Sequence, residues 1–268
     1  MGFTERGRIR PLTERDRFGR AIERRDGVDF PFYDGVPLEI SPWRWVAVWA
    51  SCLVGLVVLT WFPQPDNLIA VVPRTLFIAI PLIALALVAG RHWAAVFRRV
   101  GVRDVLAMVL FALLNIAVTF TVGAIVALLF PVSANTTVAA AGDGGLLDTV
   151  ALYLGSGIQL VGEEVFTLLP FLAVLYLLFA KAGLSRRAAV LLAWLASALW
   201  FGAAHLPTYD WNFAQSFLII GSARIAFTLA YIRTKNLWVA AGAHIINDWV
   251  FITAAVVGVA VGAPALPR

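Results

Sequence analysis

An all-α, polytopic bundle of about seven to eight membrane-spanning helices is the fold class this sequence predicts, on three observations. Hydrophobic residues fill 61% of the 268 positions, charged residues only 14%, and mean hydropathy is +0.85; a soluble globular domain sits nearer about 45–50% apolar and about 25% charged. The apolar residues are gathered into seven stretches, most near the ~20 residues that cross ~30 Å of hydrocarbon. The loops between them carry alternating charge. The net charge of +5 does not point to nucleic acid, because the basic residues are scattered through ends and loops. The single cysteine, Cys52, lies in an apolar run and rules out an intrachain disulfide and a Cys-based structural zinc site.

Residues 1–44 hold nine Arg against eight Asp and Glu, with no apolar core of the length a secretory signal needs. They are expected to form a charged, solvated arm on the cytoplasmic side, with the transmembrane bundle occupying 45–268. The first span runs from Trp45 to Phe62 and is closed by Pro63 and Pro65. The second, Leu68 to Ala89, carries Pro73 and Arg74 near its start and Pro81 inside, so a kink is expected. The third, Val105 to Phe130, ends at Pro131. A polar loop with Asn135, Thr136, Thr137, Gly142, Gly144 and Gly145 follows.

The fourth stretch, Leu146 to Ala180, is too long for one straight span. Gly155, Gly157, Gly162 and Pro170 fall inside it, so a broken or strongly tilted helix is expected, with the break near Glu163 and Glu164. A bilayer tolerates such a break only where protein or water surrounds it. The fifth, sixth and seventh stretches are Ala188 to Ala204, Phe213 to Ile232 and Leu237 to Gly262. Arg91, Arg98, Arg99 and Arg103 follow span two, Lys181, Arg186 and Arg187 follow span four, and Arg233 and Lys235 follow span six. The alternate loops and their edges carry Asp66, Asp143, Asp148 and Asp210. The positive-inside rule then puts the N-terminus in the cytoplasm and the C-terminus outside a cell membrane.

Few ionisable groups remain at membrane depth: Arg74, Glu163, Glu164, Arg224, Asp248, His205 and His244. An acid at the centre of a span costs roughly 2.5–3.5 kcal/mol on insertion scales, so each group is a candidate functional residue. His244 and Asp248 are four apart and share a helix face, which Asn247 borders. Glu163 and Glu164 point about 100° apart, so one can face a shared cavity while the other pairs elsewhere. Phe201 is four before His205 and can wall it. One or two Glu, two His and an Asp on three helices suit a metal site with an open water position. They equally suit metal-free base chemistry, with Glu and His gripping one water. Either arrangement yields an activated water fit for hydrolysing an amide. Cys52 and His92 read as structural and loop residues.

The Glu163-Glu164 pair, the run Phe201 to His205 and the run His244 to Asp248 resemble the motifs of the CPBP family of intramembrane proteases, also called the CAAX-processing or Abi family. The resemblance spans roughly residues 105–260. It implies the multi-helix fold of the CAAX prenyl proteases and an intramembrane endopeptidase acting on membrane-associated peptides or proteins. By motif position it implies Glu163 as general base and His205 as the residue holding water or a metal. His244 and Asp248 would stabilise an oxyanion or add ligands. Zn2+ or another divalent cation, held by Glu163, His205 and His244, is the cofactor such a metalloprotease family implies. The family's Arg, five residues after its first Glu, is Leu168 here. Arg224 is the expected substitute cation for Glu164, with Arg74 in reserve. Two rival readings remain: a non-catalytic bacteriocin-immunity or binding protein on this scaffold, favoured by Leu168, and a proton-coupled transporter. A transporter would show paired repeats, and none is evident.

Overall fold

The computed structural model describes residues 16–24, 26, 28–133 and 145–260, with side chains through 257. The expected polar loop at 135–144 and the end of the seventh span at Gly262 lie outside the described residues. Among the described residues seven α-helices follow one another: α1 (Pro42–Trp61), α2 (Asn67–Ala89), α3 (Val102–Leu129), α4 (Leu146–Tyr176), α5 (Arg186–Ala204), α6 (Gly221–Thr234) and α7 (Leu237–Ala260). Each, with its flanking turns, is long and apolar enough to cross a bilayer. No strand occurs among the described residues.

Local chemistry sets the ends. Pro42 opens α1 at a position where its missing N–H costs nothing, and Pro63 lies just past the end. The Asp66 carboxylate accepts from the Ile69 N–H at 2.8 Å and caps α2. At its far end Gly90, with φ +54°, turns the chain into a 3-10 segment, Gly90–Val96. Asp104 accepts from the Gly101 N–H at 2.9 Å and ties down the first turn of α3. Lys235, with φ +49°, closes α6 and leads into α7.

The expected break in the fourth span is absent. α4 runs as one helix of 31 residues straight through Glu163 and Glu164. Its glycines make room rather than bend the chain. A Cβ on Gly162 would sit 2.6 Å from the Phe77 ring, and one on Gly155 would strike the Arg74 guanidinium. Both neighbours belong to α2, which packs along α4 more extensively than any other pair of helices meets. Pro170 is accommodated by a neighbour. It cannot donate to the Phe166 carbonyl, and Trp200 Nε1 on α5 does so instead at 3.1 Å. The irregular backbone lies elsewhere, in π-helical turns at Leu177–Lys181 and at Gln215–Ile220, which leads into α6.

The N-terminal segment is also a correction. The described part is not a solvated arm. Phe30, Phe32, Tyr33 and Ile40 are buried in the main core cluster. Phe30 meets Phe171 of α4 and Tyr231 of α6 at ring distances of 5.5 and 5.9 Å. Its charges find partners: Glu23 accepts from Arg186 at 2.9 and 2.8 Å and from Lys235 at 2.8 Å, and Asp29 accepts from Arg186 at 2.6 and 3.1 Å. Burial alone would raise the Glu23 pKa; the hydrogen bonds from Arg186 and Lys235 outweigh it and hold the carboxyl at about 2. Nearly balanced charges read as solvent-exposed in the sequence because the partners of Glu23 and Asp29 lie 157 or more residues away.

The α2–α3, α4–α5 and α6–α7 connections gather at one end with this segment. Arg98 N–H donates to the Asn236 side chain at 3.1 Å, and Arg24 N–H to the Arg233 carbonyl at 3.2 Å. Cys52 is a buried free thiol, and His92 sits in the loop beside Arg91.

Candidate active site

α4 brings Glu163 and Glu164 to the middle of the bundle, and adjacent positions on a helix give them different surroundings. Glu164 faces inward and is fully buried. Arg224 of α6 donates Nη1 to Oε1 and Nη2 to Oε2, both at 2.6 Å. The expected substitution of Arg224 for the cation missing at Leu168 is thus what the geometry contains. Leu168 itself is wholly buried among core side chains. Arg224 Nε donates to Thr228 Oγ at 3.2 Å, and its guanidinium lies 5.2 Å from the Phe201 ring and 5.4 Å from the Phe227 ring. A planar fork matched to a carboxylate and set between two aromatic faces is the best-compensated way to bury such a pair.

His244 of α7 donates Nδ1–H to Glu164 Oε1 at 2.9 Å and stacks on Phe227 with centroids 4.2 Å apart. That bond fixes the ring, so Nε2 turns to the other side. There it lies 3.8 Å from Glu163 Oε2 and 3.7 Å from Asp248 Oδ1. Both gaps are too long for a direct hydrogen bond and too short for a water to sit between the two atoms, so the three polar groups face one another unbonded. Glu163 keeps some open surface and accepts one bond, from Gln159 Nε2 at 2.9 Å. Asp248 accepts from Asn247 Nδ2 at 2.8 Å, and Asn247 Oδ1 accepts from Asn115 Nδ2 of α3 at 3.1 Å.

His205 ends α5, where a 3-10 turn, Pro207–Tyr209, reverses the chain. Its Nδ1–H donates to the Phe201 carbonyl at 2.8 Å, leaving Nε2 as the free nitrogen. Phe201 is the link to the rest: its ring lies 4.3 Å from His205 and 6.3 Å from His244. The expected group therefore divides. Glu163, Glu164, Arg224, His244, Asn247 and Asp248 form one connected set. His205 meets it through the Phe201 ring and lies within electrostatic reach of Asp248, without a hydrogen bond to Glu163, His244 or Asp248. The described His, Cys, Asp and Glu side chains form no group of three able to hold a metal ion. Glu163, His205 and His244, as placed, do not fit the divalent cation that the resemblance implies.

Sequence reasoning missed Asn115, Gln159 and Phe227. Asn115 carried a signal: it is the only amide side chain in the 28 residues of α3. Gln159 lies one turn before Glu163. Phe227 had no signal, since nothing distinguishes it from other phenylalanines until the fold lays it against His244.

Residues 143–250 match one protein-family model, described as Type II CAAX prenyl endopeptidase Rce1-like. The matched segment contains Glu163, Glu164, Phe201, His205, Arg224, His244, Asn247 and Asp248, and excludes Arg74 and Asn115. Neither the curated proteins nor the solved structures gave a match. Within an all-helical set of apolar spans, residues 143–250 thus match an Rce1-like type II CAAX prenyl endopeptidase domain, in agreement with the CPBP/CAAX protease family that the motifs resemble.

Proposed function

We propose that the chain is an intramembrane endopeptidase that cuts membrane-associated peptides or proteins with a water activated by Glu163. One observation supports this most. Glu164 is saturated by Arg224 and His244, while Glu163 Oε2 and Asp248 Oδ1 stand 3.8 and 3.7 Å from His244 Nε2, close enough for one water beside them to touch all three. Two adjacent carboxylates thereby take two roles: Glu164 holds the scaffold and Glu163 works.

In this reading Glu163 takes a proton from the water as the oxygen attacks the scissile carbonyl. The same carboxyl then passes that proton to the leaving amine. His244, when protonated on Nε2, donates to the oxyanion, and Asp248 orients that ring from its own side. His205 Nε2 is free to accept from the water or to face the substrate. The basic loops at the end shared with the N-terminal segment support a cytoplasmic N-terminus.

The immunity or binding reading rested on Leu168, and Arg224 at Glu164 removes that ground. A proton-coupled transporter calls for paired repeats with matching broken helices, and α4 is continuous. The test is cleavage of apolar peptides by the purified protein in liposomes. Glu163→Gln is expected to lower the rate about 10²- to 10⁴-fold. An unchanged rate in that variant ends the proposal.

A further inference from the structure

The groups of the candidate active site do not stand at one depth. α7 starts at the basic end, and His244 and Asp248 come seven and eleven residues after Leu237, or ~10 and ~17 Å along the axis. α5 starts at the same end, and His205 comes 19 residues after Arg186, or ~28 Å. The set therefore climbs from the middle of the bundle toward the end away from the basic loops. Burial follows the same slope. On α4 every residue from Glu164 to Ala173 is buried, whereas Ile158, Gln159, Val161 and Glu163 keep open surface. On α7 the His244 side chain is 6% exposed and that of Asp248 is 38% exposed. A carboxylate open to that extent at mid-span is costly in hydrocarbon, so water has to reach it.

The basic end gives that water no way in. The N-terminal segment lies there with Phe30, Phe32, Tyr33 and Ile40 buried, and Arg186, Lys235 and Asn236 beside it are 4% exposed or less. Phe171, Tyr231, Val239, Ala240 and Ala243 fill the interior between that end and His244. Toward the other end the polar atoms multiply. Gln159 Nε2 donates to Glu163 from one turn further out. Asn115 Oδ1 and Thr119 Oγ1, one turn apart on α3, have no hydrogen-bond partner among the described residues, and His205 Nε2 is free. Polar atoms at such depth are ordinarily satisfied by water where protein does not serve. The rim beyond them carries Asp66, Asp148 and Asp210 and, among the described residues, no Lys or Arg. By the positive-inside rule that rim faces away from the cytoplasm.

We propose that the site opens to the non-cytoplasmic side, so that its substrate is a peptide, or the outward end of a spanning segment, that has already crossed the membrane. This rests on the peptidase reading, with Glu163 as the base. A translocation step then has to supply the substrate, and the hydrophilic fragment is released outside the cell. A chain presented only in the cytoplasm meets the buried aromatic residues and ion pairs of the N-terminal segment instead of Glu163.

The test has two arms, both run on sealed right-side-out and inside-out vesicles of cell membrane holding the full chain. In the cleavage arm, an apolar peptide with a sulfonated fluorescent tail, unable to cross the bilayer, is added to the bulk. Right-side-out vesicles are expected to cut it, and inside-out vesicles to cut it only once detergent opens them. In the labelling arm, a membrane-impermeant cationic methanethiosulfonate is added to Gln159→Cys. Arg99→Cys and Thr208→Cys, at exposed positions, mark the basic and the outer end. The wild type, whose single Cys52 is buried, is expected to stay unmodified. Arg99→Cys is expected to react only in inside-out vesicles, and Thr208→Cys and Gln159→Cys only in right-side-out ones, with thermal melting confirming that each variant is folded. Cleavage confined to inside-out vesicles, or equal in both sealed preparations, overturns the outward opening while the peptidase reading stands. Gln159→Cys that stays unmodified or reacts only from the inside overturns it too, as does Arg99→Cys reacting from the outside. Labelling of Gln159→Cys from the outside, with no cleavage even in detergent, upholds the opening and overturns the peptidase reading.

Discussion

Arg224 grips both oxygens of Glu164 at 2.6 Å from a separate helix, 60 residues further along the chain. The family pattern would place that cation on the same helix as Glu164, at Leu168. The buried pair is solved here between helices instead of within one, so it also ties α6 to α4. Removing one partner strands the other charge. Arg224→Leu is expected to cost about 3–5 kcal/mol and to abolish activity. Glu164→Leu added to it is expected to recover much of the stability and none of the activity. Thermal unfolding in detergent beside a cleavage assay separates the two outcomes.

The neighbouring carboxylates are expected to respond in opposite ways. Glu163→Gln retains the Gln159 contact and should change stability by no more than about 0.5 kcal/mol while activity falls about 10²- to 10⁴-fold. Glu164→Gln weakens the pairing with Arg224 and the bond from His244, so both stability and activity fall. Equal loss of stability in the two variants would contradict the division of roles.

Glu23 gives the N-terminal segment a pH signature. Its carboxyl is held near 2 against an ordinary value of 4.5. A carboxylate whose folded value is depressed stabilises above its unfolded pKa and loses that contribution as pH falls toward the folded one. The attachment is therefore expected to be complete above pH 4.5 and to weaken down to about pH 2, by at most about 3 kcal/mol at 1.36 kcal/mol per unit. Melting temperature measured across that range should fall in the wild type and vary less in Glu23→Gln.

Gly162→Ala tests the α2–α4 contact beside the glutamates. The added carbon would lie 2.6 Å from Phe77 Cδ1 and 3.0 Å from Ile78 Cγ1, and Phe77 is itself buried with no room to retreat. Overpacking of this kind costs about 1–3 kcal/mol, readable as a lower melting temperature. Leaving the melting temperature unchanged would mean that the two helices meet less closely at this point.

The spans were legible because membrane depth imposes long apolar runs, and a carboxylate within such a run has no innocent explanation. The Arg224–Glu164 pair was legible for the same reason: each charge needed a partner and few were on offer. What the sequence hid was cooperation between distant segments. Pro170 and three glycines read as a break in α4, yet Trp200 replaces the bond that Pro170 lacks, α2 fills the space left by Gly155 and Gly162, and Trp249 of α7 fills that left by Gly157. The N-terminal segment read as solvated because Glu23 shows no partner until Arg186 and Lys235 arrive beside it. The link from Asn115 to Asn247 joins positions 132 apart, which no local spacing discloses.

The indole of Trp200 on the Phe166 carbonyl has a kinetic corollary. A rod that leans on its neighbour for a main-chain contact cannot ratchet past it without baring that carbonyl in hydrocarbon. Admission of a substrate should thus proceed by prising other helices outward, with the fourth and fifth travelling as one body.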